Sequence, residues 1–182
     1  MTDLEMKYHA GPAVEVLADE LVDLFGVVWR IPPYAGNPRF SAAVFGKNLR
    51  AAMSIDGCGV LAGRIDGQLV GCAYGLTMPG DWPSWVTLGD ARPQEVQEAA
   101  DAGQVFWLRE LMVLPDHARQ GFGRQLHDAM LALREEPWTA LHCIVDNEPA
   151  YSAYPRWGYQ VIGRIEASED APAYDVMLLP PT

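Results

Sequence analysis

Leu111-Met112-Val113-Leu114-Pro115 closes an apolar run, and Gly121-Phe122-Gly123-Arg124 then opens a segment with Leu126, Met130 and Leu133 at helical spacing. Val105 to Val113 therefore reads as a largely apolar strand, Pro115 to Gly121 as a loop, and the rest as a helix to about Arg134 with those three residues as its buried stripe. Two glycines at alternate positions remove Cβ atoms where the helix begins. First-turn amides lack an intrahelical partner there, and the macrodipole adds roughly half a positive charge. Such a start suits a phosphate or pyrophosphate, and Arg119 and Arg124 add positive charge. An ordinary strand-to-helix turn that uses glycine for tight packing accounts for the same pair.

Upstream, Met6 to His9 is a short strand, and Val14, Leu17, Leu21, Leu24, Phe25 and Val28 give residues 13–29 a helical stripe. Pro38 opens a second helix carrying Phe40, Val44, Phe45 and Leu49. Cys58–Ile65 and Gln68–Thr77 are strand-like, and Asp66-Gly67 between them marks a hairpin. Residues 78–104 read as an insertion holding Trp82, Trp85 and a helix over Pro93 to Ala102. Downstream come strands at Trp138–Val145, Tyr159–Ile165 and Tyr174–Leu179, with a short helix over Asn147 to Arg156. This order predicts an α/β fold of mixed α+β type: one domain over residues 1–182, with a mixed sheet of about seven strands and helices on both faces.

A second segment bears on chemistry: Asn147-Glu148-Pro149-Ala150-Tyr151-Ser152-Ala153-Tyr154-Pro155-Arg156-Trp157-Gly158-Tyr159. Asn147 can cap the helix, Pro149 fits its first turn, and Gly158 ends it. Tyr154 falls within it, either aimed at a bound group or packed in the core.

Together the two segments resemble the GNAT acyltransferase superfamily. That family has a loop of pattern [QR]xxGx[GA] after a strand, and a later N-x-x-A-x-x-x-Y-x-x-x-G-[FY] segment. Asn147, Ala150, Tyr154, Gly158 and Tyr159 occupy every place of the second pattern. In the loop, Ala118 stands where Gln or Arg is usual, with Arg119 one step later. The resemblance covers about residues 5–179 apart from 78–104, and it implies a mostly antiparallel central sheet and acetyl-CoA as co-substrate. By the same resemblance, Leu111, Met112 and Val113 pair through their backbone with the pantetheine arm. Ala118, Arg119, Gln120, Gly121, Phe122 and Gly123 cradle the pyrophosphate with the Arg124 amide nearby, Asn147 contacts the pantetheine or holds the splayed strand, and Tyr154 protonates the departing thiolate.

Acyl transfer to an amine also needs a base, because a lysine-type amine with a pKa near ~10.4 is protonated at neutral pH. Glu110 is the only carboxylate in the 105–113 strand, although alternation sets it opposite Trp107, Arg109 and Leu111. His117, His127 and His142 offer no better base, and water can take the proton instead. The acceptor pocket is expected from Trp29, Tyr34 and the 30–40 turn, Tyr74, the 78–104 insertion and the 166–174 loop. Aromatic faces with carboxylates suit a cationic small-molecule amine.

Composition sets the outer limits. The chain has 182 residues and a net charge of −11. Residues 26–78 carry +3, while 79–104 and 166–182 carry −4 each. That balance argues against nucleic acid as a partner. No apolar run is long enough for a bilayer, and the acidic start shows no signal peptide. Three cysteines without a CxxC pair make neither a disulfide framework nor a zinc site. The expectation is a cytoplasmic N-acetyltransferase without a metal, with a homodimer left open. Acetylation of a protein N-terminus or lysine, or a non-catalytic acyl-CoA-binding module, are the alternatives.

Overall fold

The computed structural model describes residues 3–166 and 172–181, so most of the 166–174 loop lies outside the described residues. Strand β1 (Glu5–Ala10) leads through a 3-10 turn (Gly11–Leu17) into α1 (Ala18–Val28). After α2 (Ala42–Ala52) come β2 (Gly59–Ile65) and β3 (Gln68–Thr77), then α3 (Pro83–Val86) and α4 (Gln94–Asp101). The chain continues through β4 (Val105–Val113), α5 (Phe122–Ala132), β5 (Trp138–Ile144), α6 (Ala150–Arg156), β6 (Gln160–Ile165) and β7 (Tyr174–Leu179). The strands form a seven-stranded sheet in the order β1-β2-β3-β4-β5-β7-β6. Pairs β1–β2, β2–β3, β5–β7 and β6–β7 are antiparallel, while β4 and β5 run parallel over Val105–Trp107 against Trp138–Ala140. The mixed, mostly antiparallel sheet expected from the sequence is what forms.

Two compact units share this sheet, and β4 contributes to both. The first gathers the chain up to Leu76 with Leu108–Arg134. In it α5 lies on the hairpin, where Leu126 reaches the bare backbones of Gly63 and Gly71. The hairpin turn holds Asp66 at φ 49° and Gly67 at φ 80°, the double left-handed geometry of a two-residue loop. The second unit gathers Thr77–Trp107 with the chain from Glu135 on. Its core includes Trp85, which is fully buried and donates Nε1–H to Gln97 Oε1 at 3.1 Å. Trp85 is thus a core residue rather than part of an acceptor pocket.

Local physics moves several boundaries. Gly11-Pro12 tightens the start of the expected 13–29 helix into the 3-10 turn, although Val14 and Leu17 are still buried. Pro38 opens only a 3-10 turn; α2 begins later, capped by Ser41, whose Oγ accepts the Val44 amide at 3.3 Å. Leu133 is 51% exposed, because α5 ends at Ala132 before its stripe extends that far. No described helix is long and apolar enough to cross a membrane.

The close approach at Gly71 generates a prediction. A Cβ there would lie 2.6 Å from the Met112 carbonyl oxygen, 3.1 Å from Leu126 and 3.3 Å from Val113. A backbone oxygen cannot swing aside as a side-chain tip can. Gly71→Ala should therefore destabilise the protein by about 1–3 kcal/mol, read as a lower urea midpoint.

Candidate active site

Strand β4 enters the site dry and leaves it half-wet. Val105, Phe106, Trp107 and Leu108 are buried, Arg109, Glu110, Leu111 and Val113 are half-buried, and Met112 is buried again. The Leu114 amide donates to the Val70 carbonyl at 2.8 Å, which anchors the end of the strand. A 3-10 turn over Pro115–His117 follows. Ala118 is extended, Arg119 takes a left-handed φ of 61°, and Gly121 takes φ 83°. Residues 118–121 are exposed. Gly121 is the N-cap of α5 and, having no side chain, cannot cap it. The first-turn amides of α5 therefore have no side-chain cap at the positive end of the helix. The nearest atom to a Cβ on Gly123 would be a Val113 methyl at 3.9 Å, an ordinary contact, so a side chain there would not clash with the fold.

The two arginines of the loop differ. Arg119 is exposed. Arg124 donates Nε–H to Asp128 Oδ2 at 2.5 Å, so its charge is largely offset. Asp128 also contacts His127 Nδ1 at 2.8 Å. Burial alone would raise the Asp128 carboxyl, but the bonds from His127 and Arg124 outweigh it and hold the group low. His127 is itself buried, and desolvation lowers its pKa. It is a packed helix residue, and its partner Asp128 was not singled out from the sequence.

Glu110 is the carboxylate nearest to base chemistry. It keeps part of its surface accessible, yet desolvation dominates and pushes its carboxyl up to about 8, against the pull of the Arg109 guanidinium. Its charge is felt by Cys72 and Tyr74, which lie two apart on β3. The Arg109 guanidinium lies 5.8 Å from the Tyr74 ring centroid. Tyr74 is buried, and desolvation pushes its phenol up to about 12 against the pull of the Arg109 guanidinium. Tyr74 is thus a core residue here, not an open lining residue.

In the second unit, α6 starts at Ala150 with Pro149 as its N-cap, rather than at Asn147. The Asn147 carbonyl accepts the Tyr151 amide at 2.8 Å. The far end of α6 explains why Gly and an aromatic follow Tyr154 at fixed spacing. Gly158 takes φ 99°. Its amide donates to the Pro155 carbonyl at 3.1 Å, and the Tyr159 amide donates to the Tyr154 carbonyl at 3.1 Å. This paired closure is a Schellman motif, whose usual apolar contact joins the two residues that make its longer bond. Here that contact is the Tyr154 ring, edge-on to Tyr159 at 5.5 Å and to Trp157 at 5.4 Å. Tyr154 is 9% exposed, so its ring is held on two sides.

The expected acceptor-side aromatics fall into separate groups. Trp29 stacks on Tyr34 at 4.9 Å and meets Phe40 edge-on at 4.3 Å, and all three rings are half-buried. Trp82 meets Trp107 at 5.0 Å, and Trp107 meets His142 at 5.0 Å. His117 is half-buried beside Phe122. Among the described residues no group of three or more His, Cys, Asp or Glu is placed to hold a metal ion.

The sequence profile of the acetyltransferase (GNAT) family matches residues 20–159. Among solved structures, the PaiA N-acetyltransferase of Thermoplasma acidophilum in complex with coenzyme A is 12% identical, with a TM-score of 0.62 over 98% of this chain and 99% of that one. PH1933 of Pyrococcus horikoshii OT3 is 14% identical, with a TM-score of 0.68 over 99% of each chain. The ribosomal-protein-S18-alanine N-acetyltransferase of Escherichia coli is 14% identical, with a TM-score of 0.60 over 98% of this chain and 95% of that one. At such identities the likeness is one of fold. A search of the curated proteins finds no significant match. The profile spans well over half of the chain, from α1 through the loop before α5 to the Tyr154 segment, and the chain therefore belongs to the GNAT acetyltransferase family.

Proposed function

We propose that the protein is an acetyl-CoA-dependent N-acetyltransferase acting on the primary amine of a small, cationic molecule. The observation that carries this is the start of α5: an exposed loop over residues 118–121, first-turn amides with no capping side chain, and a Gly123 without a Cβ, at the place where the family pattern sets its pyrophosphate loop. That arrangement fits a pyrophosphate, and the exposed Arg119 adds charge of the right sign. Bound there, acetyl-CoA supplies the thioester that is the acyl donor.

The chain's own residues do the rest. The backbone of Ala118, Arg119, Gln120, Gly121, Phe122, Gly123 and Arg124 holds the diphosphate. The backbone of Leu111, Met112 and Val113 aligns the pantetheine, with Asn147 as a further contact. The Leu111 amide polarises the carbonyl to be attacked. Glu110 takes the proton of the attacking ammonium, directly or through water, and Tyr154 Oη holds the proton that the leaving sulfur takes up. The half-buried rings of Trp29, Tyr34 and Phe40 support a cationic acceptor, as does the net charge of −11. The reading takes residues 1–182 as one catalytic domain working in the cytoplasm, with 78–104 as an insertion.

The direct test is thiol release from acetyl-CoA against a panel of small amines and of peptides with free N-termini. Turnover with a small amine supports the proposal. Turnover only with peptides would move the acceptor to proteins, and binding without turnover on any amine would leave a non-catalytic module.

Two further outcomes are expected. Tyr154→Phe keeps the ring contacts but removes the proton, so kcat should fall by roughly 10²–10⁴-fold at saturating acetyl-CoA. A variant that keeps most of its kcat, where chemistry limits the rate, would remove Tyr154 from the mechanism. Glu110 must be ionised to act as a base, and its carboxyl is raised to about 8. The kcat/KM of the enzyme should therefore climb as pH rises through about 8, and Glu110→Gln should lose that limb. The sign for stability is opposite. A carboxyl raised in the fold favours its protonated form, so ionisation costs folding free energy as pH rises from the unfolded value towards 8, by up to about 1.4 kcal/mol per pH unit. Urea melts of Glu110→Gln should lack that decline.

A further inference from the structure

Helix α6 has seven residues, and Pro155 lies inside it. Proline has no amide to donate, so the Tyr151 carbonyl lacks its intrahelical partner. A helix this short does not hold itself together in water. The Gly158–Tyr159 closure secures its C-terminal end. Its first turn is secured by a different device. Tyr151 Oη donates to Asp175 Oδ2 at 2.6 Å. Asp175 sits on β7 and its side chain is 4% exposed. Arg164 donates Nε–H to Asp175 Oδ1 at 2.7 Å and Nη2–H to Oδ2 at 3.2 Å. Arg164 and Asp175 are register partners across β6 and β7. The carboxylate is thus fixed by a two-point guanidinium contact between paired strands, and such charge-assisted bonds are short and strong. Tyr151 and Tyr154 are three apart, so they share one side of the helix.

We propose that Tyr151 and Asp175 are positioning residues for Tyr154, holding α6 against the β6–β7 pair so that the Tyr154 hydroxyl keeps its place at the leaving sulfur. This rests on Tyr154 being the acid. Releasing the first turn lets a two-turn helix pivot, and a small displacement of a reacting group is costly in rate.

The test is a cycle of Tyr151→Phe, Tyr154→Phe and the double variant, each followed by thiol release. Tyr151→Phe keeps the ring and its packing. It should lower kcat roughly tenfold with the KM for acetyl-CoA unchanged. In the Tyr154→Phe background the same change should have no further effect, because the group it positions is gone. Arg164→Lys, which keeps the charge but loses the two-point contact, should show the same split in smaller measure, and it carries the test if Tyr151→Phe does not fold. If Tyr154→Phe alone retains kcat, the acid assignment fails and this proposal with it. If Tyr154→Phe is inactive while Tyr151→Phe keeps full kcat, or if Tyr151→Phe lowers kcat by one factor in both backgrounds, positioning is overturned and the acid assignment stands.

Discussion

Gly121 holds φ 83° and ψ 0°, and that single backbone geometry sets both the packing and the exposed end of α5. An L-residue with a side chain is strained there. Because the chain turns at Gly121, Phe122 points inward, and Leu126 and Met130 follow at four-residue steps into the core. Leu126 then meets the bare backbones of Gly63 and Gly71 on the hairpin, so the phase of the helix and the absence of two Cβ atoms in the sheet are one constraint seen from two sides. The same turn leaves the first amides of α5 without a side-chain cap.

A left-handed glycine also governs the other segment. Gly158 ends α6 in a closure that makes Tyr154 the residue whose carbonyl and ring are both engaged by Tyr159. The acid role proposed for Tyr154 requires a ring that is held still, and the backbone turn and the aromatic contacts do that at one end of the helix. At the other end, a buried carboxylate on β7 takes the Tyr151 hydroxyl. Pro155 weakens the helix between these anchors, so the orientation of Tyr154 depends on tertiary contacts rather than on helix propensity.

Much of this was legible in the sequence because it rests on local rules. The GxG start of α5, the Asp66-Gly67 hairpin and the glycine stop after Arg156 are backbone requirements that residue type announces. A polar Asn147 before Pro149 looks like a cap, but the helix begins later, with Pro149 at the N-cap and the Asn147 carbonyl bonded to the Tyr151 amide. Leu133 continued a periodic stripe past the true end of its helix. The burial of Trp85 and Tyr74 and the Arg164–Asp175–Tyr151 link were not legible. The link joins residues 11 positions apart across strand register and 24 apart between a helix and a strand, and periodicity encodes neither these contacts nor the burial. The raised carboxyl of Glu110 likewise comes from surroundings that only the folded chain assembles.

The central claim is that the uncapped start of α5 receives the pyrophosphate of acetyl-CoA. Calorimetric titration of acetyl-CoA into the protein and into Gly123→Val tests it most directly. A Cβ at this position meets nothing nearer than 3.9 Å, so the variant should fold like the parent. If the claim holds, the parent binds one equivalent and the valine lowers the affinity by roughly tenfold or more, about 1.4 kcal/mol. Equal affinity in a folded Gly123→Val would contradict it.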